Sequence, residues 1–324
     1  MNNDKSAAKG KVGPTRGKTI LLFVLTLAFS VLEAVSGGSL ADIVFTVLAS
    51  GFCASALIFS GSLLPLLAAL PAYLVSFALS GNALGALASL EFVPVSIVLL
   101  YSYRKKRTRV SMICRVSATL AVFELFMLSL TALSLYGRIG ADEIRTIVEG
   151  VRTEISDAVF DALSSIPQTS IAISYDTISG GVGYMLMLLP GVFIALYNIA
   201  AFLIQKTVLL VGRAVGAKEM IYDDMRAYKI SRPAAIVYIG SYLLYVIFSG
   251  GVSVTSAVLV NLIIIFTPGL ALYGIKDVAR RIKERSSAFP VFLVFGMLLL
   301  LFTVPVLFFG LASFFGAWAA FRKE

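Results

Sequence analysis

The chain has 324 residues, 59% of them hydrophobic and only 14% charged, with a mean hydropathy of +0.93, where a soluble domain carries about 25% charge. Apolar runs cover almost the whole length, which excludes a soluble globular protein, a disordered chain and a single-span receptor. The net charge is +9, there is no histidine and there are two cysteines, so Ser-His-Asp and Cys-His catalysis, HExxH zinc sites and His-ligated haem are all removed.

Residues 1–18 are polar and basic (Lys5, Lys9, Lys11, Arg16, Lys18) and read as a cytoplasmic tail. The apolar run that follows resembles a signal-peptide core, but many spans come after it, so it reads as a retained first helix. A spanning helix needs about 20 apolar residues. Spans are expected near 19–36, 40–60, 62–80, 83–103, 110–136, 184–210, 233–250, 254–275 and 288–305. Spans two and three join at Gly61. Pro65, Pro71, Pro94, Pro190, Pro268 and Pro305 lie in or beside spans, where neighbouring helices re-satisfy freed carbonyls. The apolar runs are continuous and do not alternate, so a β-barrel is excluded. Cys53 and Cys114 fall inside spans and read as small buried hydrophobes.

Between spans five and six, residues 137–183 hold three basic and seven acidic residues. Ile144, Ile147, Val148, Val151, Ile155, Val159, Leu163 and Ile166 recur at three- and four-residue steps, which predicts an amphipathic helix with Asp142 as N-cap and Pro167 as stop. Thr169–Gly183 reads as a loop. A second amphipathic piece is expected over Lys218–Lys229, with Met220, Ile221, Met225 and Tyr228 on its apolar face, at the lipid boundary or against a partner.

Residues 286–321 carry no charge. As one helix they would be about 54 Å long, against a hydrocarbon core of about 30 Å, so the chain must break near Pro305. The rest is either a return hairpin or a closely packed or interfacial helix. Leu311, Phe314, Phe315, Trp318 and Phe321 share one face; Gly310, Ser313, Ala317 and Ala320 lie away from it. Gly81xxxGly85 and Ala68xxxAla72 offer further close-packing pairs.

The fold class is therefore all-α: a polytopic helical membrane protein of nine or ten transmembrane helices. It divides into a basic tail (1–18), a five-span half (19–136), an external segment (137–183) and a C-terminal half (184–324) of four or five spans. Arg104-Lys105-Lys106-Arg107, Arg109, the Lys206–Arg232 basics and the Lys276–Arg285 basics all fall on the tail's side, which makes the N-terminus cytoplasmic by the positive-inside rule. Topology and anionic lipid account for the charge, and nucleic acid is not needed as a partner.

Polar residues at membrane depth are the functional candidates. Glu91 in span four and Glu124 in span five both lie about 18–21 Å from the cytoplasmic end. Two carboxylates at matched depth can share a proton. Asn261 is about as deep, Asn198 is shallower, and Arg115 either snorkels or pairs with a buried acid. Glu33 and Asp42 flank the first outer turn and read as solvated. No catalytic residue, metal ligand set, cofactor motif or phosphate loop is present, nor any GxSG or GxGD intramembrane protease motif, so an enzyme is not expected.

Leu189-Pro190 opening a long span, a basic segment ending in Tyr228 and Arg232-Pro233, and an aromatic tail into Phe321-Arg322-Lys323 resemble the YybS-like family of bacterial membrane proteins, which carry a domain of unknown function. The likeness is best over Tyr184–Lys323. That family is in turn distantly similar to substrate-binding subunits of energy-coupling-factor transporters. The resemblance implies a bacterial plasma-membrane protein that binds a small solute or ion and docks on other membrane subunits or ATPases. The alternative is a non-catalytic scaffold of the cell envelope.

Overall fold

A computed structural model of the protein describes residues 16–36, 40–138, 140–164, 174–248, 253–284 and 304–322. The described residues are helical throughout, with no strand among them. Six helices are long and apolar enough to cross a bilayer, and three shorter apolar helices accompany them. This is a helical membrane protein. Most of the basic tail, the Pro167 stop and nearly all of the span expected at 288–305 lie outside the described residues.

The chain forms two compact units, one running to Phe123 with Ala200–Tyr228, the other Glu124–Ile199 with the residues from Lys229 on. The first contains α1 (Arg16–Ser36) and α2 (Leu40–Ser55), which ends in a π-turn over Ala56–Ser60. Gly61 stops that turn with φ +67°, a conformation glycine adopts without steric cost. A 3₁₀ turn (Leu64–Ala68) begun by Pro65 leads into α3 (Ala69–Ser80), then α4 (Ala83–Ala88) and α5 (Phe92–Arg104).

Packing here puts the small and polar residues inside. On α1, Leu22, Thr26, Ser30 and Glu33 are buried while Ile20, Leu21, Val24 and Leu32 face outward. Lipid tails are as apolar as leucine, so helices associate through close packing and cross-helix hydrogen bonds. Ala49, Cys53, Ala68, Ala72 and Phe92 make such a core. Ser96 Oγ of α5 donates to the Ser50 carbonyl of α2 at 3.2 Å. The Ala68/Ala72 pair packs as expected. Gly81, by contrast, is the left-handed cap of α3 (φ +63°) with open space beside it, and Gly85 makes no close contact, its nearest neighbours being the Ser80 and Asn82 side chains just before it. Cys114 also departs from expectation, being exposed on α6 (Arg109–Tyr136).

The segment expected as a second amphipathic helix is a strap. A 3₁₀ turn (Lys218–Met220) and a four-residue helix, α9 (Asp223–Arg226), are followed by extended chain. Its apolar residues Ile221, Met225 and Tyr228 are buried in the first unit. Side chains that bond its backbone hold it: Tyr103 Oη donates to Met220 O at 2.9 Å, and Tyr222 Oη reaches back to Arg107 O at 2.7 Å. Burial, with Tyr103 and Asp224 nearby, pushes the Tyr222 phenol up to about 12. Burial likewise raises Tyr228 to about 12, against the opposing pull of the Arg109 charge.

The second unit holds the rest of α6, α7 (Ala141–Ser164), the first part of α8 (Tyr175–Ala214), α10 (Arg232–Phe248), α11 (Val254–Glu284) and α12 (Pro305–Arg322). The amphipathic α7 exists, but Asp142 stands in its first turn and not at its cap. Its apolar stripe, Ile144, Val148, Val151, Ile155 and Val159, is exposed. The contacts come from its other side, where Arg152 Nε donates to Ser179 O at 3.1 Å and Tyr175 Oη donates to Asp157 at 2.8 Å. Helix α8 starts nine residues before the expected Tyr184 and absorbs the end of the predicted loop. At 40 residues it is about 60 Å long, and Pro190 sits inside it and does not open it.

Helices α11 and α12 meet through glycine. A Cβ on Gly274 would run into the Ala312 carbonyl, and one on Gly316 into the Leu270 carbonyl. Ser313 Oγ adds a bond to Thr267 O at 3.2 Å. Phe314, Phe315, Trp318 and Phe321 of α12 point outward and Ser313, Ala317 and Ala320 inward, as the sequence predicts for a packed helix, while Phe308 is buried. Gly310 meets nothing; the contact glycine is Gly316. Arg232, at the start of α10, bonds Phe321 O at 3.4 Å, so the last turn of α12 returns to the end where α10 begins.

Candidate functional site

Three carboxylates gather in the first unit around Glu33. Glu33 lies in the last turn of α1, 4% exposed. A negative charge is favoured at a helix N-terminus and disfavoured at its C-terminus. Asp42, in the first turn of α2, follows that rule and Glu33 breaks it. The Thr46 hydroxyl lies beside the Glu33 carboxyl, and the Asp42 and Glu91 carboxylates both act on it electrostatically. Thr46 Oγ1 donates to Asp42 O at 3.0 Å, and Ser36 Oγ lies 3.4 Å from Asp42 Oδ1. Glu33 Oε2 has no hydrogen-bond partner among the described residues.

Glu91 reaches this cluster because the fourth span is broken. Pro94 has no N–H, so a regular helix cannot continue through Leu90. The chain tightens instead: Leu90 N bonds Leu87 O at 3.0 Å, Glu91 N bonds Ala88 O at 3.2 Å and Val93 N bonds Leu90 O at 3.0 Å. Glu91 thereby occupies the half-buried cap position before α5, where the helix dipole favours its charge. Broken helices at membrane depth recur where ions or solutes bind.

Such a cluster has a definite chemistry. A buried carboxylate is costly unless a proton or a cation neutralises it, and three close acids compete for few protons. The arrangement can therefore exchange protons or hold a small cation through oxygen ligands, with Thr46 and Ser36 as neutral oxygens beside the acids. Among the described residues, no group of side chains has the closer geometry of a metal site.

Of the other expected residues, Arg115 belongs to the first unit and Glu124, Asn198 and Asn261 to the second. Glu124 is half-buried on α6 and opens the second unit. Arg115 lies over the Tyr101 ring, 5.9 Å from its centroid. Asn198 and Asn261 share the α8–α11 seam of the second unit, where Asn198 Nδ2 faces Ile265 O at 3.4 Å. Asn261 has a structural task. Gly191 N donates to Asn261 Oδ1 and Asn261 Nδ2 donates to Met187 O, both at 2.8 Å. Its amide thus spans the rung that a straight helix closes between Gly191 and Met187, beside Pro190.

Sequence reasoning overlooked Glu33, taken there as solvated. The signal was present: Thr26, Ser30 and Glu33 recur at helical steps and form one polar stripe on an otherwise apolar span, which marks the face turned to the interior. Comparison with protein-family models, curated proteins and solved structures gave no match.

Proposed function

We propose that this is a transport-type protein of the bacterial plasma membrane, with a cytoplasmic N-terminus, that takes a proton or a small cation at the Glu33–Asp42–Glu91 cluster. The observation that carries this reading is Glu33: a carboxyl 4% exposed, at the unfavourable end of its helix, with an unpartnered oxygen and two further carboxylates in range. An acid kept inside a membrane bundle serves proton or ion movement more readily than stability. The resemblance to the YybS-like family, and through it to energy-coupling-factor substrate subunits, favours the same class. The return of α12 to the α10 start supports ten spans, with both chain ends on the basic side.

The test is binding by the purified full-length chain. Thermal stability is measured against pH and against Na⁺, K⁺ and Mg²⁺ at constant ionic strength, for the parent protein, Glu33→Gln and Glu91→Gln. A cation- or pH-dependent stabilisation that both variants lose supports the site. A well-folded Glu33→Gln protein with the parent's full response would reject it.

A scaffold role in the cell envelope is the second reading, favoured by one observation. The exposed apolar stripe of α7 is a surface for lipid or for another protein. Purification in mild detergent separates the two readings: ATPases with a second membrane subunit favour transport, envelope proteins favour the scaffold.

A further inference from the structure

The described residues of the first unit leave one buried cation unneutralised. Arg109 is the first residue of the 28-residue α6 and is 8% exposed. Among the described residues no carboxylate pairs with it. Its guanidinium lies 5.0 Å from the Phe202 ring centroid and 5.6 Å from that of Tyr228. Nη1 makes a long bond of 3.4 Å to Arg226 O. Nε and Nη2 have no acceptor among the described residues.

Those two atoms form one edge of the guanidinium. Their N–H bonds run parallel, as a fork that matches two oxygens of one carboxylate or phosphate. The aromatic contacts offset part of the cost of burying the charge, but leave that edge unsatisfied. Two other features favour an anion there. The N-terminus of α6 carries partial positive charge, and the adjoining turn holds Lys105, Lys106 and Arg107.

We propose that Arg109 anchors a site for a phosphate group, either of an anionic lipid headgroup or of a free phosphate, closed over by the strap 217–228. The strap explains how a buried fork is reached. Besides the Tyr103 and Tyr222 bonds, it is held by Gln205 Nε2 to Met225 O at 3.2 Å. It has no helix longer than four residues, so little helix has to unwind when it opens locally. The inference does not rest on the acid cluster, which lies at the other end of α5, about 18 Å away along the helix.

The experiment uses the full chain and two probes. Inorganic phosphate is titrated against chloride at matched ionic strength in detergent, and phosphatidylglycerol nanodiscs are compared with phosphatidylcholine nanodiscs, with thermal stability as the readout. Stabilisation by phosphate in detergent identifies a free-phosphate site; stabilisation only in phosphatidylglycerol identifies the lipid headgroup. In either arm Arg109→Lys, which keeps the charge and loses the fork, weakens the response about tenfold. Arg104→Gln, at the exposed end of α5, keeps it within about twofold. No gain over chloride and phosphatidylcholine, or an Arg109→Lys response equal to the parent's, overturns the site. If Arg109→Lys does not fold, native mass spectrometry of the parent decides. One retained phosphate-bearing adduct, also kept by Arg104→Gln, supports the site, and a bare chain from both media overturns it.

Discussion

Asn261 of α11 and Gly191 of α8 are joined by a bond of 2.8 Å from the glycine N–H to the asparagine Oδ1, and a Cβ on Gly191 would strike that side chain. The amide substitutes for a helix rung beside Pro190. Asn261→Ala leaves a buried N–H and a carbonyl unpaired and is expected to cost about 1–3 kcal/mol. In a Pro190→Ala background the straight rung can close, so the same change costs less. Unfolding of the four proteins in detergent measures this as a double-mutant cycle. Equal costs in both backgrounds would reject the rung account.

The α11–α12 contact gives a second prediction. Gly316→Ala forces a methyl into the Leu270 carbonyl and is expected to destabilise by about 1–3 kcal/mol. Gly310→Ala, on the same helix but in open space, is expected to be neutral or to stabilise by up to about 1 kcal/mol through helix propensity. Melting both variants beside the parent tests the pair. Similar behaviour at the two glycines would show that helix propensity, and not the close approach, governs this seam.

The strap predicts a pH dependence. Tyr222 and Tyr228 are each raised to about 12, above an ordinary tyrosine near 10. A raised folded pKa means the native state holds these protons more tightly than the unfolded chain. Their contribution is therefore complete below about pH 10 and is lost as pH climbs from about 10 to about 12. Tyrosinate absorbance should show late-titrating groups, Tyr222 and Tyr228 among them. Tyr222→Phe removes one of them, together with the bond to Arg107 O, and costs about 0.5–1.5 kcal/mol. Titration of every tyrosine near pH 10 in the folded protein would contradict the buried strap.

Six long apolar helices and the amphipathic α7 were legible in the sequence, because length and apolar periodicity depend on neighbours along the chain. Glu91 stood out as an acid inside an apolar run for the same reason. Its effect on Glu33 did not, because spacing along one helix leaves open which helix face meets which. The polar stripe Thr26–Ser30–Glu33 marks the buried face of α1. The strap was misread because Ile221, Met225 and Tyr228 have helical spacing, while side-chain bonds from distant Tyr103 and Gln205 determine its actual path. Arg109 gave no signal, since one arginine in a basic run looks like the exposed ones beside it.

The course of α12 makes the last prediction. Arg232 and Phe321 share one end of the second unit, and Arg232 belongs to the basic side of the chain. Arg322 should then face the cytoplasm, while α7, in the acidic segment, faces outside. Single cysteines introduced in a Cys53→Ala, Cys114→Ala background test this with a membrane-impermeant maleimide. Asp161→Cys on α7 should label in intact cells. Lys105→Cys and Arg322→Cys should label only after permeabilisation. Labelling of Arg322→Cys from outside, with Lys105→Cys still protected, would place the chain's end on the outer face. The chain would then hold nine spans and not ten.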